Sequence, residues 1–365
     1  MISRALLSAL TLATLPALAG PWQDIAASFQ PPPEWAEDFG SYRSPLLFKD
    51  GRQVKNAADW QARRKEILHD WHTLMGAWPS VLEKPALTVL ETTHRESFTQ
   101  KRIRLQIAAE QTGEGYLMIP DGRGPFPAVF VPFYDPETSA GLNDKPFRDF
   151  AYQLARRGFI TLSIGSPGGD ARLPVLTPGA QCQPLSYLAY ISANAWVALA
   201  QMPEVRADRI GICGHSYGGK WAMFAACLWE KFDCGVWSDP GIVFDETRTS
   251  INYQEPWYLG LDAQLTRKPG LVSPENPRTG AYRHLIAGGH DLIEFQALMA
   301  PRPFLVSGGA EDPPKRWAAL NHLRAVNRLL GHEDRVAMTN RPDHSPNAES
   351  NEHIYRFLEG WLKRP

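Results

Sequence analysis

Apolar and polar positions along this chain follow two different periods, and the switches between them divide it. From Ala57 to Met75 the residues Trp60, Ile67, Leu68, Trp71 and Leu74 recur at helical spacing, with Asn56 placed to cap the start and Gly76 to stop the end. Between Ala86 and Pro132 the alternation shortens. Thr88 to Thr93, Ile103 to Ala108 and Tyr116 to Ile119 read as antiparallel strands, and Ala128 to Val131 as a short buried one. Beyond that, helix-like and strand-like stretches take turns. Helices are expected at Phe147 to Arg157, Leu185 to Met202, Tyr217 to Trp229, Leu292 to Met299, Lys315 to Leu330 and Ala348 to Leu362. The strands between them are Phe159 to Ile164, Arg209 to Cys213, Cys234 to Trp237, Pro303 to Ser307 and Arg335 to Thr339. Such an order predicts an α/β fold with a mostly parallel central sheet and helices on both faces.

Two stretches break the pattern. Residues 20–55, with Pro31-Pro32-Pro33 and scattered aromatics, read as an extended N-terminal arm, leaving residues 56–365 as a single domain. Residues 240–290 carry Tyr253, Trp257 and Tyr258 without strong periodicity, and an insertion of that length is expected to act as a lid or a substrate-binding wall.

Composition narrows the function classes. The 365 residues hold 38 Lys+Arg against 39 Asp+Glu and no basic run, which excludes a generic nucleic-acid binder, because that affinity rests on clustered cations neutralising phosphates. Met1 to Ala19 joins Arg4, a short apolar stretch and Ala17-Leu18-Ala19, the pattern of a cleavable signal peptide. The expected mature protein is therefore secreted or periplasmic. The apolar stretch is too short for stable membrane insertion. Four cysteines, Cys182, Cys213, Cys227 and Cys234, allow one or two disulfides, although Cys213 and Cys234 sit in apolar runs that suit buried free thiols. None forms a C-x-x-C pair, and no metal is implied.

The chemistry concentrates at Gly214-His215-Ser216-Tyr217-Gly218-Gly219, which follows one expected strand and opens the next helix. A strand turning sharply into a helix leaves no room for Cβ atoms beside its tip, so Gly214 and Gly218 suit a nucleophile elbow with Ser216 exposed. A serine hydroxyl needs a base, and His344 lies after the last strand, at the sheet edge where such sites assemble. Asp312 follows the preceding strand and completes the chain order Ser, Asp, His. Asp239 and Glu311 are the alternative acids. For the oxyanion, the backbone N–H of Tyr217 is one expected donor, and Phe133 or Tyr134, in the loop after Ala128 to Val131, the second. Lys220 falls in an apolar helix, where it serves either as a contact for a substrate hydroxyl or carboxylate or as half of a structural ion pair. Trp237, Tyr253, Trp257 and Tyr258 offer flat faces for sugar rings or packing for the core.

On these residues the chain resembles the α/β-hydrolase superfamily over roughly residues 55–362. The Trp60-x-x-Arg63-Arg64-x-x-Ile67 helix, the elbow with Lys220 and the Leu298-Met299-Ala300-Pro301-Arg302-Pro303 segment are similar to the secreted acetyl xylan esterase and glucuronoyl esterase group, with dienelactone hydrolases more distant. Glucuronoyl esterases usually place Cys and Arg on either side of the serine. Here His215 and Tyr217 stand there, so the resemblance carries over Lys220 as a sugar-hydroxyl contact but no oxyanion-stabilising arginine. Some members place the acid after the earlier strand, which keeps Asp239 open. The resemblance implies a serine hydrolase cleaving a carboxylic ester on a carbohydrate, with no cofactor. A serine peptidase of the prolyl-oligopeptidase type and a catalytically silent binding protein are the rival readings.

Overall fold

The computed structural model describes residues 25–364, so the expected signal peptide and the first residues of the arm lie outside the described residues. Nine strands form one sheet: β1 (Leu87–Arg95), β2 (Phe98–Ala108), β3 (Gln111–Pro120), β4 (Phe126–Phe130), β5 (Ile160–Ile164), β6 (Val205–His215), β7 (Gly235–Ser238), β8 (Phe304–Gly308) and β9 (Val336–Asn340). Their spatial order is β1-β2-β3-β5-β4-β6-β7-β8-β9. The first three strands and the β3–β5 pair run antiparallel, and every pair from β5 to β9 runs parallel. The chain builds outward from β4 to β5, then crosses back over β4 to β6. That reversal leaves a crevice at the C-terminal ends of β4 and β6, the place where open α/β sheets bind ligands.

The helices are α1 (Ala57–Met75), α2 (Pro136–Ser139), α3 (Phe150–Arg156), α4 (Pro184–Ala200), α5 (Tyr217–Leu228), α6 (Gly280–Ala287), α7 (Leu292–Gln296), α8 (Trp317–Leu329) and α9 (Ala348–Leu362). Side chains alternate across each buried strand, so the two faces have separate cores. Ile212, Trp237 and Val306 meet α1, α4, α5 and α8 on one face. Cys213, Val236 and Leu305 meet α3 and α9 on the other. All four cysteines are buried and unpaired, so neither allowed disulfide forms.

The local signals explain most boundaries. The Asn56 side chain accepts from the Asp59 N–H and starts α1. Asn347 and Ser350 form a capping box at α9. The helix expected from Phe147 begins only at Phe150, because Phe147 is held at φ 61°. The arm crosses α8 and α9: the Asn321 amide donates to the Trp35 and Asp38 carbonyls, and Phe29 stacks on Phe357. Residues 240–290 do separate β7 from β8, yet Ile242, Val243, Ile251, Tyr253, Tyr258 and Leu259 are buried in the core, so much of the segment is a packed wall. Its end also forms α6, which its sequence did not signal.

Candidate active site

The elbow follows from close packing. Gly214 faces the Gly218 carbonyl, and a Cβ on Gly214 would lie 2.0 Å from that oxygen. A Cβ on Gly218 would lie 2.3 Å from the Pro132 carbonyl. Both positions therefore require glycine. Between them Ser216 is held at φ 54° and ψ −114°, a strained conformation for a side-chain-bearing residue, and its N–H donates to the Ser238 carbonyl at 2.8 Å. The turn presents the hydroxyl of Ser216 at the mouth of the crevice.

His344 stands 2.9 Å from Ser216 Oγ through Nε2 and 2.7 Å from Asp239 Oδ2 through Nδ1. This corrects the first-choice acid: the carboxylate on the imidazole is Asp239, and Asp312 does not touch it. Asp239 is fully buried at φ 52°, a left-handed turn directly after β7. Its Oδ1 accepts backbone N–H bonds from Gly309, Glu311 and Asp312 at 2.6, 3.1 and 2.9 Å. The Asp312 carboxylate reaches the other way and accepts from Gly241 and Ile242 at 2.8 and 2.7 Å. The two aspartates thus clasp the loops after β7 and β8 to each other. Burial and the neighbouring Asp239 charge push the Asp312 carboxyl above its usual range. Glu311 is engaged elsewhere, with Ser250 Oγ at 2.7 Å and Arg248 at 3.3 Å.

A cavity of about 300 Å³ opens at Ser216, lined by Phe133, Tyr134, Lys145, Arg148, His215, Ser216 and His344. Neither Lys220 nor Trp257 lines it. Lys220 is buried, donates to the Pro240 carbonyl at 2.5 Å and lies over the rings of Tyr253 and Tyr258. Burial holds its ammonium down at about 8, against the pull of Asp312, Glu311 and Asp239. It braces the residue after Asp239 rather than facing the cavity. Trp257 is half-buried against Tyr258 and Arg172. Tyr253 and Tyr258 are buried, and Trp237 stacks on Phe304 in the core.

The expected oxyanion donors separate in the same way. The Phe133 N–H is already donated to the Ile164 carbonyl at 3.3 Å. The Tyr134 N–H makes no backbone bond among the described residues, and the Tyr217 N–H sits in the first turn of α5, where helical donors lack internal partners. Tyr134 is 41% exposed and its ring stacks on Tyr217 at 4.8 Å, giving the cavity a flat aromatic wall.

Four residues around the site carried no assigned role in the sequence reading, Lys145 at the cavity wall among them. His215 packs its ring 4.8 Å from that of His344 and places Nδ1 near the Ser238 carbonyl and hydroxyl. Burial, with His344 and Arg341 adding to it, holds its imidazole well below its usual range, so it stays neutral beside His344. Buried Arg341 donates to the carbonyls of Ser307, His344 and Ser345 and fastens the His344 loop to β8. Its place directly after the last strand was the available signal. Arg148 lines the cavity from a loop that the helix expected at Phe147 to Arg157 had covered.

The strand order, the crevice and the elbow after β6 define the α/β-hydrolase fold. The model of the prolyl oligopeptidase family matches residues 192–364. A search of curated proteins by sequence found no match. Among solved structures, the chain is similar to a glucuronoyl esterase from Solibacter usitatus, with TM-score 0.70 and 16% identity over 88% of this chain and 98% of that one. A CE15 glucuronoyl esterase from Caldicellulosiruptor kristjansonii gives 0.62 and 18%, over 89% and 91%. An acetyl xylan esterase described as putative, from Bacteroides fragilis, gives 0.57 and 16%, over 92% of each chain.

Proposed function

We propose that this protein is an exported serine esterase that cleaves a carboxylic ester on a carbohydrate. The observation that carries the reading is His344 bridging Ser216 and Asp239 at 2.9 and 2.7 Å. In this reading Ser216 Oγ attacks the ester carbonyl while His344 Nε2 takes its proton. Asp239 fixes the tautomer through Nδ1–H and stabilises the imidazolium. The Tyr217 and Tyr134 N–H groups receive the oxyanion. His344 returns the proton to the leaving alcohol, and water, activated by the same imidazole, releases the acid from Ser216.

The carbohydrate part of the reading draws on the glucuronoyl and acetyl xylan esterases among the fold's neighbours and on the exposed Tyr134 face, which suits a sugar ring. Export rests on the Met1 to Ala19 pattern, and no helix among the described residues is long and apolar enough to cross a membrane. The match to the prolyl oligopeptidase family gives a peptidase as the second reading. Against it, the solved structures that are similar over most of both chains are named as esterases.

The test compares wild type with Ser216→Ala on p-nitrophenyl acetate, acetylated xylan, a glucuronate methyl ester and a peptide amide. The expected result is ester turnover by wild type and a loss of at least ~10⁴-fold in kcat in the variant. Equal rates in both proteins would reject the serine mechanism, and a preference for the amide would select the peptidase.

A further inference from the structure

The cavity at Ser216 is cationic. Its wall holds Lys145 and Arg148 and no carboxylate, since Asp239 lies behind His344. The two cations differ. Lys145 is exposed and paired with Asp135 at 3.0 Å, so its charge is partly offset. Arg148 has no carboxylate partner among the described residues; its side chain donates to a neutral acceptor, Ser345 Oγ, at 3.1 Å. That bond reaches the residue next to His344 and leaves other donors of the guanidinium fork unused.

The loop holds this guanidinium in place. Phe147, immediately before it, sits at φ 61°, and the residue is 44% exposed, so the left-handed turn is not imposed by burying it. The Asn351 amide of α9 donates to the Phe147 carbonyl at 2.8 Å, and the Arg148 N–H donates to the Lys145 carbonyl at 3.3 Å. A half-buried arginine, fixed beside a nucleophile and lacking a counter-charge, matches an oxyanion that can accept two parallel N–H bonds better than a neutral sugar.

We infer that the substrate carries a free anionic group, a carboxylate or a sulfate, next to the ester, and that Arg148 binds it with Lys145 in support. This rests on the esterase reading and narrows it to esters on acidic saccharides. The acetyl or other acyl ester is cleaved at Ser216 while the neighbouring anion remains unreacted on Arg148.

The experiment measures kcat and KM for wild type, Arg148→Lys, Arg148→Glu and Ser216→Ala on acetylated galacturonate oligomers, acetylated sulfated oligomers, neutral acetylated xylan oligomers and p-nitrophenyl acetate. The expected wild-type result is a kcat/KM at least tenfold higher for an acidic oligomer than for the neutral one, reduced by 0.5 M NaCl. The carboxylated and sulfated arms show which anion is read. Arg148→Glu should invert the preference, chiefly through KM, and Arg148→Lys should keep part of it. A role exerted only through Ser345 and His344 would lower all substrates by one common factor, and that result overturns the inference. So would equal wild-type rates on acidic and neutral oligomers. Failure of the esterase reading is separately visible, as p-nitrophenyl acetate turnover unaffected by Ser216→Ala.

Discussion

In the proposed mechanism Asp239 serves His344 through a carboxylate that has no freedom of its own. Three backbone N–H groups hold Oδ1, the Glu311 N–H reaching Oδ2 as well, and Oδ2 faces the imidazole. Asp312 sits one step further out and anchors the Gly241 and Ile242 backbone through a carboxylate that does not bond His344. Substitution should separate the two. Asp239→Asn is expected to lower kcat by about 10⁴-fold, because an amide in that place favours the wrong tautomer of His344. Asp312→Asn keeps one acceptor but turns an NH₂ toward a backbone donor, so its principal loss should be in stability. Steady-state rates and thermal unfolding of both variants provide the check. A larger loss of kcat in Asp312→Asn than in Asp239→Asn would return the acid's role to Asp312.

At the level of elements, the start of α5 and the loop after β4 approach so closely that Gly218 sets the distance between them. A methyl group there must push the Pro132 carbonyl away, and the Tyr134 N–H follows two residues later. Gly218→Ala should therefore lower kcat by roughly 10²–10³-fold, the cost of misplacing one oxyanion donor, with a smaller change in KM. A variant with wild-type kcat would show that Tyr134 is not the second donor. The elbow was legible in the sequence because its constraint is local: strand, glycine, serine, glycine, helix. The start of α1 was legible for the same reason, since Asn56 caps it within three residues. The acid was harder to read. Asp239 and Asp312 both follow parallel strands, and the choice depends on a left-handed turn at Asp239 and on bonds between loops some 70 residues apart in sequence. Lys220 was left open between a substrate contact and half of an ion pair because burial was evident but its direction was not. Arg148 and Arg341 gain their roles only where distant loops meet, which no local pattern encodes.

For the molecule as a whole, the 240–290 segment must be closed onto the sheet without weakening it, and Asp291 does this at a cost that depends on pH. Its Oδ1 accepts from Phe244 N–H, near the start of the segment, and from Leu292 N–H at the head of α7, so one atom ties both ends. Burial pushes this carboxyl up to about 6 despite those bonds and the nearby Arg316, with Glu294 adding to the rise. A folded-state value above the ordinary 3.8 means that the folded protein binds the proton more tightly than the unfolded chain. The stabilising contribution is then fully present below about pH 3.8 and lost as the pH rises through about 6. Asp291→Asn keeps the oxygen that makes both bonds and removes the buried charge. Above pH 7 it should gain on the order of 1–3 kcal/mol of stability over wild type. The gain should shrink steadily towards pH 4, where the wild-type carboxyl is protonated in the folded state. Paired denaturant titrations of the two proteins between pH 4 and pH 8 measure this difference. A gain that stays constant with pH would mean that Asp291 remains ionised in the folded protein and that its burial is compensated by Arg316.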